Sequence, residues 1–189
     1  MPKILLISGS PKADGNTAQL MQECSKVIRQ TGVQAEVISL ADKKIESCTA
    51  CGKCAEIGEC SLEDGLNDVI KALRGSQGLI VGSPVYFGTA RGDVMAALQR
   101  IGYVSMKTDR FLAGKVGGAV AVARRGGHTF TLQEMLMFFL INDMIVTGST
   151  YWNMVFGRLP GEVWKDQEGI DTVRHFAANV ANLVKKLYA

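Results

Sequence analysis

The chain has 189 residues, 47% hydrophobic and 21% charged, which suits a single globular domain spanning residues 1–189 with its own core. A net charge of +3 with interspersed signs leaves no basic stripe interleaved with aromatics, so no nucleic-acid partner is expected. No apolar run approaches the ~20 residues that cross a bilayer, the first residues lack the pattern of a secretory leader, and a cytoplasmic protein without membrane association is expected.

The first expected strand, 3–8, opens directly into Gly9-Ser10-Pro11-Lys12-Ala13-Asp14-Gly15-Asn16-Thr17, and a helix is expected over 17–31. A helix N-terminus offers unpaired backbone N–H groups and partial positive charge, so this loop suits a dianionic phosphate. Ser10, Asn16 and Thr17 supply short polar groups, and Lys12 a charge. The patterns G-x4-G-K-[ST] and G-x-G-x-x-G are both missing, which weighs against ATP hydrolysis and a Rossmann-type NAD site. A plain capping turn in which Asn16 starts the helix is the alternative reading.

A second strand, 34–40, leads into four of the five cysteines, Cys48, Cys51, Cys54 and Cys60, spaced C-x2-C-x2-C-x5-C. Two-residue gaps let the backbone curl and turn successive thiolates inward, and four sulfurs are the full ligand set of a [4Fe-4S] cluster. A closed tetrahedral zinc site and free or redox-active thiols remain open, while a reducing compartment weighs against disulfides. Cys24, alone in the first helical pattern, reads as a small buried hydrophobe.

A helix over 63–73 precedes a third strand, 78–82, which runs into Ser83-Pro84-Val85-Tyr86-Phe87-Gly88 and a helix over 91–101. Aromatics between a stiffening proline and a permissive glycine suit a flat ring. The fourth strand, 116–123, ends in Arg124-Arg125-Gly126-Gly127-His128, with Arg124 and Arg125 read as solvated surface. A helix over 131–142, read as buried, a strand over 144–148, one long irregular connection over 151–168 and a helix over 170–187 complete the chain.

Five strands alternating with five helices make an α/β protein with a doubly wound parallel sheet, in the flavodoxin-like order 2-1-3-4-5, with the cysteine-rich loop after strand 2. Its ligands are expected beyond the carboxyl ends of the strands, where the three loops converge.

These motifs together resemble the flavodoxin-like NADPH-dependent FMN reductase superfamily, over nearly the whole chain, and the cysteine spacing resembles its iron-sulfur flavoprotein branch. The resemblance implies FMN, with Ser10, Lys12, Gly15, Asn16 and Thr17 at its phosphate. It also implies that Pro84, Val85, Tyr86, Phe87 and Gly88 lie along the isoalloxazine ring and that Gly126 and Gly127 close the other side. A [4Fe-4S] cluster on Cys48, Cys51, Cys54 and Cys60 follows from the iron-sulfur branch. No side chain is assigned a catalytic role; backbone N–H groups of the Tyr86-Phe87-Gly88 turn are expected to stabilise negative charge on the reduced ring.

The implied function is an FMN-dependent oxidoreductase that couples FMN to the cluster, with a ferredoxin-like donor or NAD(P)H and a small-molecule electron acceptor. A cluster-free NAD(P)H-dependent FMN or quinone reductase and a non-catalytic flavin-binding redox sensor are the alternatives. A homodimer or homotetramer is also implied, with Tyr151, Trp152, Phe156 and Trp164 as the expected contact surface. Two positions depart from the family pattern: Arg91, expected to alter what approaches the flavin, and His128, after the glycine pair.

Overall fold

The computed structural model describes residues 1–188. Strands β1 (Lys3–Ser8), β2 (Gln34–Ser39), β3 (Gly78–Tyr86), β5 (Val116–Ala123) and β6 (Ile145–Val146) form a parallel sheet in the order β2-β1-β3-β5-β6. Without the short hairpin strand β4 (Thr89–Ala90), this is the expected doubly wound order. The sheet differs in detail because it has seven strands: β4 folds back antiparallel on β3, and β7 (Met154–Phe156) lies parallel to the end of β5.

Alternation along β1 explains the two-sided core. Leu5 and Ile7 point to the face covered by α3 (Leu66–Arg74), α4 (Gly92–Lys107) and α5 (His128–Ile141), meeting Val69, Leu98 and Met135 among others. Ile4 and Leu6 point to the face covered by α1 (Asn16–Gln30) and α6 (Gln167–Tyr188), with Leu20, Ile28 and Phe176. All of these side chains are buried, each contributing about 1.5–3 kcal/mol relative to exposure. Where Phe139 and Phe176 press on β5 from opposite faces, the strand carries Gly117 and Gly118. A Cβ at Gly117 would lie 3.0 Å from Phe139 and 1.9 Å from the Leu79 carbonyl oxygen, and one at Gly118 would lie 3.0 Å from Phe176.

The last strand departs most from expectation. Only Ile145 and Val146 pair with the start of β5; the chain then leaves the sheet and returns as β7 beside Ala121, Val122 and Ala123. Asn153 bridges the gap, its side-chain N–H donating to the Ala119 carbonyl at 3.1 Å and its own carbonyl accepting from Ala121 N–H at 3.0 Å. The segment 151–168, read as irregular, therefore holds β7 and a single 3-10 turn, Glu162–Lys165. A strand of three residues is too short to give a pattern of its own.

Helix α5 is also a correction. Read as buried, it exposes Met137 (52%), Leu140 (57%) and Ile141 (65%), with Phe130 (70%) just ahead of the expected start. Among the described residues no helix is long and apolar enough to cross a membrane.

Candidate functional site

The chain turns from β1 into α1 through residues 9–15. Gly15 caps the helix without any side-chain hydrogen bond, and the first turn carries no acid, so the leading amides are left without side-chain acceptors. The turn is fastened to β3 by Gly9 N–H donating to the Gly82 carbonyl at 2.8 Å. Glycine is required there, since a Cβ would sit 2.3 Å from Val94 Cγ2 and 2.9 Å from that carbonyl oxygen. Ser10 is buried and uses its hydroxyl within the loop, donating to the Lys12 carbonyl at 2.7 Å and accepting from Lys12 N–H at 3.2 Å. Its hydroxyl thus braces the loop. Asn16 Oδ1 is buried and has no hydrogen-bond partner.

Ser10, Lys12, Gly15, Asn16 and Thr17 line one side of a cavity of about 290 Å³, and Pro84, Val85 and Tyr86 line another. Val122 and Ala123 contribute the end of β5, and Arg124, Gly157, Arg158 and Pro160 the far rim. The structure thus brings together the two loops that sequence reasoning paired, but Phe87, Gly88, Gly126 and Gly127 do not line this cavity. Arg124, read as solvated surface, does line it, and Gly157 and Arg158 were missed because only the unrecognised strand β7 carries them to this edge. Lys12, Arg124 and Arg158 make the lining cationic, and no acidic side chain shares it.

Phe87 and Gly88 form the tip of the β3–β4 hairpin, at φ of 51° and 88°, and the Phe87 side chain is fully exposed. Elements behind the hairpin hold it. Glu134 of α5 accepts from Ala90 N–H at 2.9 Å, Ser83 Oγ accepts from Arg91 N–H at 3.0 Å, and Gly127, at φ 89°, packs on it so closely that a Cβ would lie 3.0 Å from Gly88 Cα. Gly126 faces open space. Arg91 does not enter the cavity: its guanidinium donates to the Gly9 carbonyl at 3.1 Å and pairs with Asp93 at 2.8 Å, tying the two loops together from behind. His128 is buried, with Nε2 3.1 Å from the Val155 carbonyl and its ring edge-on to Phe156. Burial depresses its pKa, with the Val155 hydrogen bond and the Asp166 charge opposing. It fastens β7 to the start of α5.

Cys48, Cys51, Cys54 and Cys60 line a second cavity, of about 270 Å³, together with Arg100 and Tyr103 of α4. Cys54 opens the short helix α2 (Cys54–Ile57). None of these cysteines is in a disulfide, and among the described residues no group of three or more His, Cys, Asp or Glu side chains is placed to hold a single metal ion. Cys60 is the anchored one. Its N–H donates to Asn67 Oδ1 at 2.9 Å, its carbonyl accepts from Asn67 Nδ2 at 2.7 Å, and its Sγ accepts from Arg100 Nε and Nη2 at 3.2 and 3.1 Å.

Arg100 is only 1% exposed and also pairs with Asp64. Burial opposes its charge, but the hydrogen bonds to Asp64 and Cys60 outweigh burial and raise its pKa. For Asp64 too, burial is outweighed, by the Arg100 hydrogen bond, and its carboxyl is held below the usual range. Cys51 is exposed, and contacts with Ser61 and the Lys53 amide lower its thiol pKa to about 7. Burial pushes Cys24 up to about 12, as befits an inert core thiol.

Residues 2–158 match the sequence profile of the family described as NADPH-dependent FMN reductase. The chain belongs to this family. An "iron-sulfur flavoprotein" of Methanocaldococcus jannaschii is 38% identical over 97% of both chains. Another of that name, from Methanosarcina thermophila, is 29% identical over 97% of this chain and 95% of its own. Among solved structures, a WrbA-like flavodoxin of Agrobacterium tumefaciens matches with a TM-score of 0.71 at 16% identity, covering 98% of this chain and 99% of that one. An NADH:FMN oxidoreductase in its apo form matches with a TM-score of 0.64 at 20% identity, covering 100% and 91%. At these identities the structural likeness establishes the flavodoxin-like fold alone. As a member of the FMN reductase family, in its iron-sulfur flavoprotein branch, the protein is an FMN-dependent oxidoreductase.

Proposed function

We propose that this FMN reductase family member, with residues 1–189 acting as one FMN-binding domain, exchanges electrons between its FMN and a [4Fe-4S] cluster. FMN gives and takes electrons in pairs or singly, and a cluster handles them one at a time, so together they join two-electron to one-electron partners. A ferredoxin-like protein is the donor and a small molecule the acceptor.

At the flavin end, the uncapped amides of α1 with Lys12, Arg124 and Arg158 suit a phosphate dianion. The unpartnered Asn16 oxygen suits a hydroxyl donor, which a ribityl chain provides. Pro84, Val85 and Tyr86 lie along the ring, with Gly127 holding the hairpin from behind. Cys48, Cys51, Cys54 and Cys60 are the cluster ligands. The observation that carries this reading is that all four line one cavity whose wall includes the cation of Arg100, chemistry that matches anionic thiolates around a soft metal centre.

Anaerobic purification followed by a visible spectrum and iron and acid-labile sulfide analysis tests the reading. Flavin bands with about four irons and four sulfides per chain are expected. Flavin without iron or sulfide, even after anaerobic reconstitution, returns the protein to a cluster-free reductase driven by NAD(P)H.

We further infer self-association, as a homodimer or homotetramer. It rests on the exposed Phe130, Leu140 and Ile141 of α5 and on Tyr151 and Trp152, at 53% and 57% exposure, which line one cavity with Leu140. A monomer in sedimentation at micromolar concentration overturns it.

A further inference from the structure

One wall of the cysteine cavity is not explained by the cysteine spacing. Arg100 stands forty positions away from Cys60 in sequence and on a different element, yet it presents two N–H groups to the Cys60 sulfur. Its orientation is over-determined. The guanidinium is also paired with the Asp64 carboxylate and donates to the Glu46 carbonyl at 3.0 Å, and the whole side chain is excluded from water. The other sulfurs lack such a partner: Cys48 Sγ accepts from the Ala50 amide at 3.4 Å and Cys51 Sγ meets Ser61 Oγ at 3.3 Å. Among the described residues, Cys60 alone has its sulfur held by a charged donor and its backbone clamped on both sides by one side chain, Asn67.

We propose that Arg100 is a positioning residue for the cluster: it holds the Cys60 sulfur in place before the other three cysteines close. It then stays on as a charged hydrogen-bond donor to that ligand sulfur and raises the reduction potential. This inference rests on the cluster reading above. Hydrogen bonds and positive charge at a ligand sulfur favour the reduced cluster, which carries one more electron, and a ligand fixed in advance leaves fewer chain segments to order when the metal arrives.

Removing Arg100 alone takes the counter-ion from the half-buried Asp64 carboxylate, leaving it only the Glu46 and Leu66 amides. The comparison is therefore between Asp64→Asn and the double variant Asp64→Asn/Arg100→Gln, which differ only in the guanidinium. Both are purified anaerobically and reconstituted with iron and sulfide. The double variant is expected to show a more negative cluster potential than Asp64→Asn, with shifted Fe–S(Cys) stretching bands in resonance Raman spectra and slower uptake of iron. Arg100→Lys, which keeps a charge for Asp64, is the second probe. One ammonium cannot reproduce the two-pronged contact, so its potential is expected to fall below wild type.

Equal potentials and equal iron uptake in the single and double variants, or an Arg100→Lys potential at or above wild type, overturn the proposal while leaving the cluster itself standing. Wild-type protein that takes up no iron overturns both this proposal and the cluster reading.

Discussion

The cavity beside α1 and the cavity beside α4 are almost equal in size, about 290 and 270 Å³, but they are held in opposite ways. The first is set by hydrogen bonds that pin the backbone of its two loops. Gly9 is hydrogen-bonded to Gly82, Ser10 braces its own loop, and Arg91 and Glu134 fix the two loops from behind. The second hangs on one residue, Cys60, while Cys51 lies in an exposed stretch without regular structure, beside Ala50 at φ 54°. A phosphate is recognised by amides already in place, whereas a soft metal centre can draw its own ligands together.

The sharpest way to probe this contrast is through the thiols. Cys24 lies in the helix behind the first cavity and Cys51 on the rim of the second, with pKa values of about 12 and about 7. In iron-free protein at pH 7 the thiolate fractions differ by about five orders of magnitude. Peptide mapping after brief iodoacetamide treatment should find Cys51 alkylated and Cys24 untouched. Equal labelling would mean that the α1 side opens as readily as the cysteine loop.

A smaller effect is expected at the preset cavity. Arg158→Ala removes a rim cation that is exposed to solvent, so FMN affinity should fall about tenfold, the low end for a charged hydrogen bond. Fluorescence titration of the iron-free protein measures it. An unchanged affinity would remove Arg158 from the phosphate side, and an accompanying loss of iron from the holoprotein would show that the two cavities are not independent.

The smallest effect concerns His128, which pins β7 to the first cavity's edge. Burial holds its folded pKa below the ordinary value, so on acidification the unfolded chain takes up this proton first. Its contribution is fully present above the unfolded value of about 6.5 and is lost as pH falls from there through the depressed folded pKa. Urea unfolding of wild type and His128→Gln between pH 7.5 and 5, conditions chosen to bracket that value, should give the variant the shallower loss of stability. Parallel curves would place the acid sensitivity elsewhere.

How far the sequence carried the structure depended on whether the signal was local. The apolar run Ile4-Leu5-Leu6-Ile7 followed by Gly9 marked β1 and its loop, because strand, turn and helix start are contiguous. The cysteine cavity was equally legible from its spacing. Arg100 was not: in a helical pattern an arginine reads as a solvated charge, and only the packing of α4 against the cysteine loop makes it a buried partner. Arg158 was hidden for a related reason, since its place depends on β7, whose three residues pair with a strand more than thirty positions earlier. Ser10 was seen at the right place but not its contacts with Lys12, because a hydroxyl beside a turn can serve its own backbone as well as a ligand.

The glycines of β5 limit how this protein can drift. A core that loses volume on one side is ordinarily repaired by a larger residue opposite, but after truncation of Phe139 that route is closed at position 117. Even a methyl group there would collide with the Leu79 carbonyl oxygen, at 1.9 Å, before filling any space the ring had left. Phe139 and Gly117 are therefore a coupled pair in which only the phenylalanine has room to vary, and its losses have to be made good from the helices rather than from the sheet.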